Sequence, residues 1–240
     1  LLEHTDTLGI MGFAEVIKHF PRMLKILNKT IIEIKKYEPD RVILIDYPGF
    51  NLQLAKKINH LNIPITYFIL PQTWAWGKKR IKLMKKTLDQ AICIFPFEKE
   101  WYRSQGMFVD FIGHPFVDSI TNEKNSNNLI DAQKLGKNIP ALLLLPGSRQ
   151  QEVNKHWEIL LETVSRLKDG IKNLTVMVTP SPGINIPKTP NDFVIEPNIK
   201  KAIQHSTAAI VSSGTATLEC AIQNLPIVVC YKVSNISWYF

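Results

Sequence analysis

The sequence has few cysteines and lacks an apolar run long enough to cross a bilayer. Its three cysteines, Cys93, Cys220 and Cys230, lie in apolar segments typical of strands or helices and lack metal-ligand spacing. They predict buried, reduced thiols and a cytoplasmic compartment. The longest apolar candidate, residues 65–76, contains Pro71 and falls short of the roughly 18–20 residues that a membrane-spanning helix needs. We therefore predict a protein that can contact a membrane without crossing it.

The sequence also lacks an internal repeat, a metal-ligating cluster and a Ser-His-Asp arrangement, so we expect no metal and no cofactor. The 240 residues are 45% hydrophobic and 21% charged, which is typical of a globular protein. The net charge of +8 favours anionic partners: nucleic acid, acidic lipid or phosphorylated substrates. Nucleic acid is the weakest of these, because no RNA- or DNA-binding motif accompanies the charge.

Apolar, β-branched runs alternate with helical patterns, which predicts parallel sheets with crossover helices. We expect two doubly wound, Rossmann-like α/β domains that face each other across a cleft. The Asn-rich segment 121–138 is the predicted linker between domains 1–120 and 139–240. The chain starts without Met and stops in an apolar segment, so we expect both domains to be incomplete. The predicted strands are 41–45, 65–69, 91–95, 108–112, 141–145, 174–178, 193–195, 208–212 and 227–231. The predicted helices are 52–60, 78–88, 97–105, 150–168, 198–205 and 215–223.

The segment 208–221 is the most informative. An apolar strand runs into a glycine turn and then a helix, an order that presents free backbone N–H groups and a helix dipole to an anion. Hydroxyls beside the turn supply donors or helix caps, and Glu219 could accept hydrogen bonds from a ribose. The segment predicts a nucleotide-diphosphate site; an ordinary turn with a surface glutamate is the alternative. The residues of the turn are Ser212, Ser213, Gly214 and Thr215.

A second anion-type turn follows the apolar strand 141–145. Gly147 lets the backbone approach a ligand, Ser148 is a further candidate for binding it, and Arg149 offers a planar fork for two phosphate oxygens. Glu152 follows early in the next helix. The alternative is a solvated arginine after a turn, but the second such turn in the same half favours the binding role.

Polar residues at two other strand ends are candidates for the first half. Asp46 follows strand 41–45 and could act as a partly desolvated general base, or simply begin a turn with help from Asn51. His114 follows strand 108–112 and could contact a sugar, although a hydrogen-bonded turn histidine is the commoner case.

Aromatic and basic residues cluster after residue 70. Trp74 and Trp76 precede a helix rich in cations, a combination that suits a membrane interface, a phosphate-recognition face or a plain solvated helix. An apolar stripe at helical spacing occupies 11–37, with Pro21 expected to break it. Such a stripe commonly faces a core, and a groove for acyl chains is the alternative. The cations at the start of the basic helix are Lys78, Lys79, Arg80 and Lys82.

Together these segments resemble the lipid-A-disaccharide synthase family, in order and spacing and across nearly the whole chain. The resemblance implies a GT-B fold and an inverting, metal-free glycosyl transfer. The donor would be UDP-2,3-diacylglucosamine, the acceptor 2,3-diacylglucosamine 1-phosphate, and the products a β-1,6 disaccharide and UDP. The matching stretches are MGFAEV (11–16), IDYPGFN (45–51), PQTWAW (71–76), FPFEKEWY (95–102), FIGHP (111–115), LLPGSRQQEV (144–153) and SSGTATLE (212–219).

By this resemblance Asp46 would deprotonate the acceptor's 6-hydroxyl, Arg149 would bind the diphosphate and Glu219 the ribose. The basic helix and the apolar stripe would contact acylated, anionic substrates on the inner face of the cytoplasmic membrane; a homodimer is compatible. Some members have a second aspartate where this chain has Gly49, so that aspartate is not essential here. Because family segments at both ends are missing, we expect the isolated chain to have weak or no activity.

Two other functions remain open on the sequence. One is another GT-B enzyme that uses UDP-N-acetylglucosamine, either a transferase or an epimerase. The other is a non-catalytic, membrane-associated module that binds UDP. The tryptophan and lysine patch argues for a lipid substrate over a free sugar nucleotide.

Overall fold

The computed structural model describes residues 13–118 and 140–232. Contacts divide the chain into two compact units, Leu1–Pro115 and Phe116–Phe240. The division falls a few residues before the end of the predicted first domain. The predicted linker, 121–138, lies outside the described residues.

The described part of the first unit contains a four-stranded parallel sheet, covered by helices, with the strands in chain order, β1-β2-β3-β4. Its core is formed by apolar residues of α1, α2, α3 and the strands, with Ala55, Ile58, Tyr67 and Met84 fully buried. A 3₁₀ turn, Asn59–Leu61, follows α2. The elements are α1 (Phe13–Tyr37), β1 (Val42–Ile45), α2 (Pro48–Ile58), β2 (Ile65–Phe68), α3 (Arg80–Thr87), β3 (Gln90–Cys93), α4 (Pro96–Ser104) and β4 (Asp110–Phe111).

The second unit is a five-stranded parallel sheet of order β7-β6-β5-β8-β9. The central strand β5 is buried at all five positions. The chain winds from β5 in one direction to β7 and then returns to β8 on the other side of β5. This reversal creates a crevice at the carboxyl ends of β5 and β8, the usual ligand position in open α/β sheets. The elements are β5 (Ala141–Leu145), α5 (Gln150–Gly170), β6 (Thr175–Val178), β7 (Val194–Ile195), α6 (Ile199–Gln204), β8 (Ala208–Ser212), α7 (Thr215–Ile222) and β9 (Ile227–Cys230).

One prediction about the helices is wrong. Pro21 was expected to break the 11–37 segment, but α1 continues through it as a single helix of 25 residues. Proline removes one N–H and crowds the preceding turn, which costs about 3 kcal/mol in a helix interior. Beyond Pro21 the stripe residues Leu27, Ile31 and Ile34 pack on the core of the first unit, and this packing favours an unbroken helix.

The other strands and helices occur where the sequence predicts them, with ends shifted by a few residues. The proline-rich stretch 179–191 is a loop, as expected. Cys93 and Cys220 are buried and Cys230 is partly buried, all as free thiols. Within the described ranges, the helices are either too short or too polar to span a bilayer.

Candidate functional site

A cavity of about 290 Å³ lies at the reversal of the second sheet. Both anion-type turns predicted from the sequence contribute to it, so strands that are distant in sequence bring them to one place. The predicted residues that line the cavity are Gly147, Ser148, Ser212, Ser213, Gly214, Thr215 and Glu219. Other residues in the wall were not predicted from the sequence to bind a ligand, namely Glu152, Thr179, Pro180, Ser181, Pro182, Pro197 and Ile199.

Two buried hydroxyls in the cavity wall stand out. The side chain of Ser212, at the end of β8, and that of Thr179, directly after β6, are only 5% and 6% exposed. Neither hydroxyl has a hydrogen-bond partner among the described residues. Because an unsatisfied buried hydroxyl is costly, each is suited to a polar ligand in the cavity. Thr179 carries the same sequence signal as the predicted residues: it is the first polar residue after an apolar strand.

The turn after β5 requires glycine. Gly147 has a φ of +144°, and a Cβ there would lie 2.8 Å from the Cβ of Glu152. The Ser181 hydroxyl donates to the Gly147 carbonyl (3.3 Å), which joins the proline-rich loop to the turn. A side chain at position 147 would therefore displace the wall of the cavity.

The turn after β8 leads directly into α7, whose N-cap is Gly214. Ser213 and Thr215 were considered as capping residues. In the described part of the chain the N-cap makes no side-chain capping bond, and the Thr217 hydroxyl instead donates to the Gly214 carbonyl (2.7 Å). The hydroxyls of Ser213 and Thr215 thus stay at the cavity wall as exposed residues, beside the positive end of the helix dipole.

Arg149, predicted at the diphosphate, forms an ion pair with a residue that lines the cavity. Its guanidinium Nη1 donates to Oε1 of Glu152 at 2.7 Å, and Arg149 is not among the described residues that form the cavity wall. The second oxygen of Glu152, Oε2, accepts from the Ser148 N–H at 3.1 Å. The carboxylate of Glu152 therefore binds both the Ser148 N–H and the guanidinium that the sequence predicts at a phosphate.

Glu219 projects from the second turn of α7 and lines the same cavity. Burial raises its pKa above the ordinary glutamate value, and the nearby Lys200 lowers it in part. A partly buried carboxylate among neutral hydroxyls suits hydrogen bonding to the hydroxyls of a ligand.

His156, a residue of α5 for which the sequence predicted no role, links two backbone segments of the second unit. It is buried and accepts the Lys232 N–H at Nε2 (3.0 Å). Its other nitrogen, Nδ1, therefore carries the proton and donates to the Pro146 carbonyl (2.9 Å). One neutral imidazole thus joins the turn after β5 to the chain that leaves β9. Spacing on α5 places this histidine on its buried face, but the two backbone partners are not readable from sequence.

In the first unit, Asp46 lies at the carboxyl end of β1 as predicted. The residue is exposed, so the expected partial desolvation of its carboxylate is not met. Its main chain is fixed: its N–H donates to Phe68 (2.9 Å), and its carbonyl accepts from Asn51 Nδ2 and the Tyr67 hydroxyl, both at 2.6 Å. Burial, and less strongly the Asp46 charge, raise the pKa of Tyr67, which keeps this hydroxyl a donor.

The backbone around Asp46 is unusual. Asp46, Tyr47 and Ile69 all have φ near +45° to +61°, and Ile69 directly follows the neighbouring strand β2. A β-branched residue in this region is a genuine outlier, and such strain is concentrated at functional sites. Asn51 is buried and also donates to the Ile45 carbonyl (2.9 Å), so its amide braces this turn. The structure gives Asn51 a bracing position at this turn, and a contact of Asn51 with substrate stays a prediction.

The loop carrying Trp74 is held by a buried tyrosine and a buried glutamate. The Tyr102 hydroxyl donates to the Pro71 carbonyl (2.5 Å) and accepts from Thr73 (2.9 Å), and burial raises its pKa to about 12. Glu98 accepts from the Trp74 indole N–H (3.2 Å), and burial raises its pKa. Trp74 is therefore oriented before any ligand arrives.

His114 and Trp76 have different surroundings. His114 lies shortly after β4, and the centroid of its ring is 5.5 Å from that of Phe95. Burial lowers the pKa of His114. Trp76 is 65% exposed, with the Arg80 guanidinium 5.0 Å from its ring. Lys78, Lys79 and Lys82 are exposed beside it. Residues 74–79 of the predicted aromatic and basic patch are thus all exposed, and a membrane role for the patch stays a prediction.

A second cavity, of about 270 Å³, lies between α1 and α2. Its wall is almost entirely apolar and includes Tyr47, the residue after Asp46. We refer to it as the α1–α2 groove. The lining residues are Phe20, Met23, Leu24, Leu27, Tyr47, Gly49, Phe50 and Gln53. Across the described ranges, no group of three His, Cys, Asp or Glu residues is placed to hold a metal ion.

The two α/β units are each built on a parallel sheet, and the second has a cavity where its strand order reverses. These features define a protein of the GT-B type. Solved structures with this fold include S. aureus MnaA with UDP (TM-score 0.65, 16% identity, covering 88% of this chain and 65% of that one). Another is the UDP-GlcNAc 2-epimerase of Neisseria meningitidis bound to UDP-GlcNAc (TM-score 0.66, 14% identity, covering 95% and 68%).

The lipid-A-disaccharide synthetase (LpxB) family model matches residues 1–240, and the chain belongs to this family. It is 34% identical to the lipid-A-disaccharide synthase of Myxococcus xanthus over all of this chain and 64% of that protein. It is 37% identical to lipid-A-disaccharide synthase 1 of Legionella pneumophila over 99% of this chain and 64% of that protein. The chain thus spans somewhat less than two thirds of these relatives.

Proposed function

We propose that the protein is an inverting glycosyltransferase of lipid A synthesis. It transfers 2,3-diacylglucosamine from UDP-2,3-diacylglucosamine to the 6-hydroxyl of 2,3-diacylglucosamine 1-phosphate. The observation that carries the donor half is the cavity at the sheet reversal, where two anion-type turns converge with the hydroxyls of Ser212 and Thr179, which have no partner in the described part of the chain. Family membership and the UDP bound to proteins of the same fold support this choice of nucleotide.

In the proposed donor site, the phosphates bind the backbone N–H groups and hydroxyls of the two turns, near the start of α7. Arg149 neutralises the charge that develops on the departing UDP. Glu219 accepts hydrogen bonds from the ribose hydroxyls. This division of roles gives the carboxylate a neutral partner and leaves the helix dipole to the anion.

In the proposed chemical step, Asp46 takes the proton of the acceptor hydroxyl as its oxygen attacks the anomeric carbon. The bond from that carbon to the β-phosphate oxygen breaks with inversion, and the electron pair leaves on UDP. The braces from Asn51 and Tyr67 hold the Asp46 main chain in place during this step. General-base catalysis of this kind contributes about 10²–10⁴-fold to the rate.

We also propose that the lipid parts of the substrates bind the first unit at a membrane surface. The α1–α2 groove is apolar and adjoins Asp46 through Tyr47, which suits an acyl chain of the acceptor. Trp74 and Trp76 with the cations from Lys78 to Lys82 suit the headgroup region of an anionic bilayer. This is the feature that favours acylated substrates over a free sugar nucleotide.

The test is a UDP-release assay on the full-length protein with both acylated glucosamines, comparing wild type with D46N. We expect turnover to fall by at least about 100-fold, while UDP binding stays unchanged. D40N is the matched control, because Asp40 is also exposed but precedes β1 at its other end. Undiminished turnover in D46N would refute the catalytic role, and equal rates with unacylated donors would refute the lipid specificity.

A further inference from the structure

Glu152 occupies the anion-binding loop of the second unit. One carboxylate oxygen accepts from the Ser148 N–H at 3.1 Å, and the other accepts from Arg149 Nη1 at 2.7 Å. The same residue lines the cavity. The donors proposed for the diphosphate are therefore already bound to a negative charge of the protein itself.

A carboxylate and a phosphate cannot both occupy these donors. Two like charges at contact distance repel each other, and an N–H that points at one oxygen is lost to the other. A phosphate carries more charge than a carboxylate and can bind the arginine fork with two oxygens. The Arg149 side chain is 42% exposed and that of Glu152 is 15% exposed, so solvent screens this ion pair in part and limits its contribution to stability. A phosphate that takes these donors therefore replaces an interaction of modest strength.

The position of Glu152 depends on the glycine before these donors. Its Cβ and Oε2 pack so closely on Gly147 that a Cβ there would lie 2.8 Å and 2.9 Å from them. The carboxylate thus rests directly on the backbone of the loop. This contact favours one conformation of the loop.

We propose that Glu152 is an internal substitute for the phosphate. It holds the Ser148–Arg149 loop ready for binding, yields both donors to the diphosphate of the nucleotide, and recovers them when UDP leaves. This inference rests on the proposed function, because it presumes that the ligand is a nucleoside diphosphate. Its consequence is that Glu152 weakens binding of the product and favours its release.

The experiment measures the Kd of UDP and of uridine by calorimetry on the full-length wild type, E152Q and E158Q. Glu158 lies on the same helix, is exposed and is not part of the cavity wall, so E158Q removes the same charge without touching the loop. We expect E152Q to bind UDP about fivefold more tightly, equivalent to ~1 kcal/mol. Uridine, which lacks phosphates, should bind both variants within about twofold of wild type.

The R149A background tests whether the gain passes through Arg149. We expect E152Q to change UDP affinity less in R149A than in the wild type, because the exchanged partner is gone. E152D, which keeps the charge on a shorter side chain, should lie between wild type and E152Q and serves if E152Q folds poorly.

Unchanged or weaker UDP binding by E152Q would overturn the inference, because Glu152 would then be a fixed brace. The same holds if E158Q tightens UDP binding as much as E152Q does. A wild type that binds neither UDP nor uridine would refute the proposed donor site, and the inference with it. Normal UDP binding by wild type with no gain in E152Q refutes the inference alone.

Discussion

The Glu219 carboxylate supplies a residue-scale test of the ribose contact. We expect E219Q to bind UDP roughly tenfold more weakly, since hydrogen bonds to a charged acceptor contribute about 1.5–3 kcal/mol and glutamine keeps part of them. Binding of 2′,3′-dideoxy-UDP, which lacks both hydroxyls, should not change. Calorimetry with the two nucleotides measures this difference, and an equal loss for both would contradict the assignment.

The Glu219 carboxyl group also predicts that UDP affinity depends on pH. The ionised carboxylate accepts from the ribose, so UDP affinity is complete above the pKa of Glu219 and is lost as the pH falls through it. Because burial raises this pKa, the loss begins at a higher pH than for an ordinary glutamate. The affinity of E219Q should lack this acid limb.

At the residue scale, sequence predicts which residues line the cavity better than which partners they bind. Gly147, Ser212 and Glu219 follow from their places at strand and helix ends. The pairing of Arg149 with Glu152 was not foreseen, although a spacing of three residues on a helix permits it. The left-handed backbone at Ile69 carries no sequence signal, because it depends on tertiary contacts.

At the scale of the element, α1 tests the energetic effect of an internal proline. We expect P21A to stabilise the first unit by up to about 3 kcal/mol, because it restores an N–H donor and removes crowding in the preceding turn. Thermal unfolding followed by circular dichroism measures the change. K29A is the control: Lys29 is exposed on the same helix, and its replacement should shift stability by less than about 0.5 kcal/mol. Destabilisation by P21A would show that the proline favours this helix.

The elements themselves could be predicted wherever an apolar run had clear ends. β5 and β8 match their predicted bounds, because each is a short buried run followed by a glycine turn. β4 contains only Asp110 and Phe111 out of the predicted 108–112. The reason is that it pairs with just two residues of β3, and the length of pairing is a tertiary property.

At the scale of the whole molecule, the net charge of +8 raises the question of where positive charge acts. We expect the double variant K79E/K82E to bind anionic phosphatidylglycerol vesicles at least tenfold more weakly, since each cation near such a surface contributes about 1 kcal/mol. The control K155E/K172E alters exposed lysines of the second unit and changes the net charge equally. Vesicle sedimentation measures binding, and added salt should weaken it.

Equal losses in the two double variants would mean that overall charge, and not the aromatic and basic patch, drives the association. Unchanged binding in both would remove the electrostatic argument for a membrane partner. Neutral phosphatidylcholine vesicles separate the contribution of the tryptophans from that of the cations.

Strand β5 has a neighbouring strand on each side and is buried on both faces of the sheet, which has a consequence for dynamics. Its backbone is hydrogen-bonded to β6 and to β8, and the side chains of Leu143 and Leu144 are fully buried. Deuterium uptake there should require opening of the whole sheet, whereas the turns at its end can exchange by local fluctuation. A change of ligand would then alter protection in the turns and leave the strand beneath them as the slowest-exchanging segment of the unit.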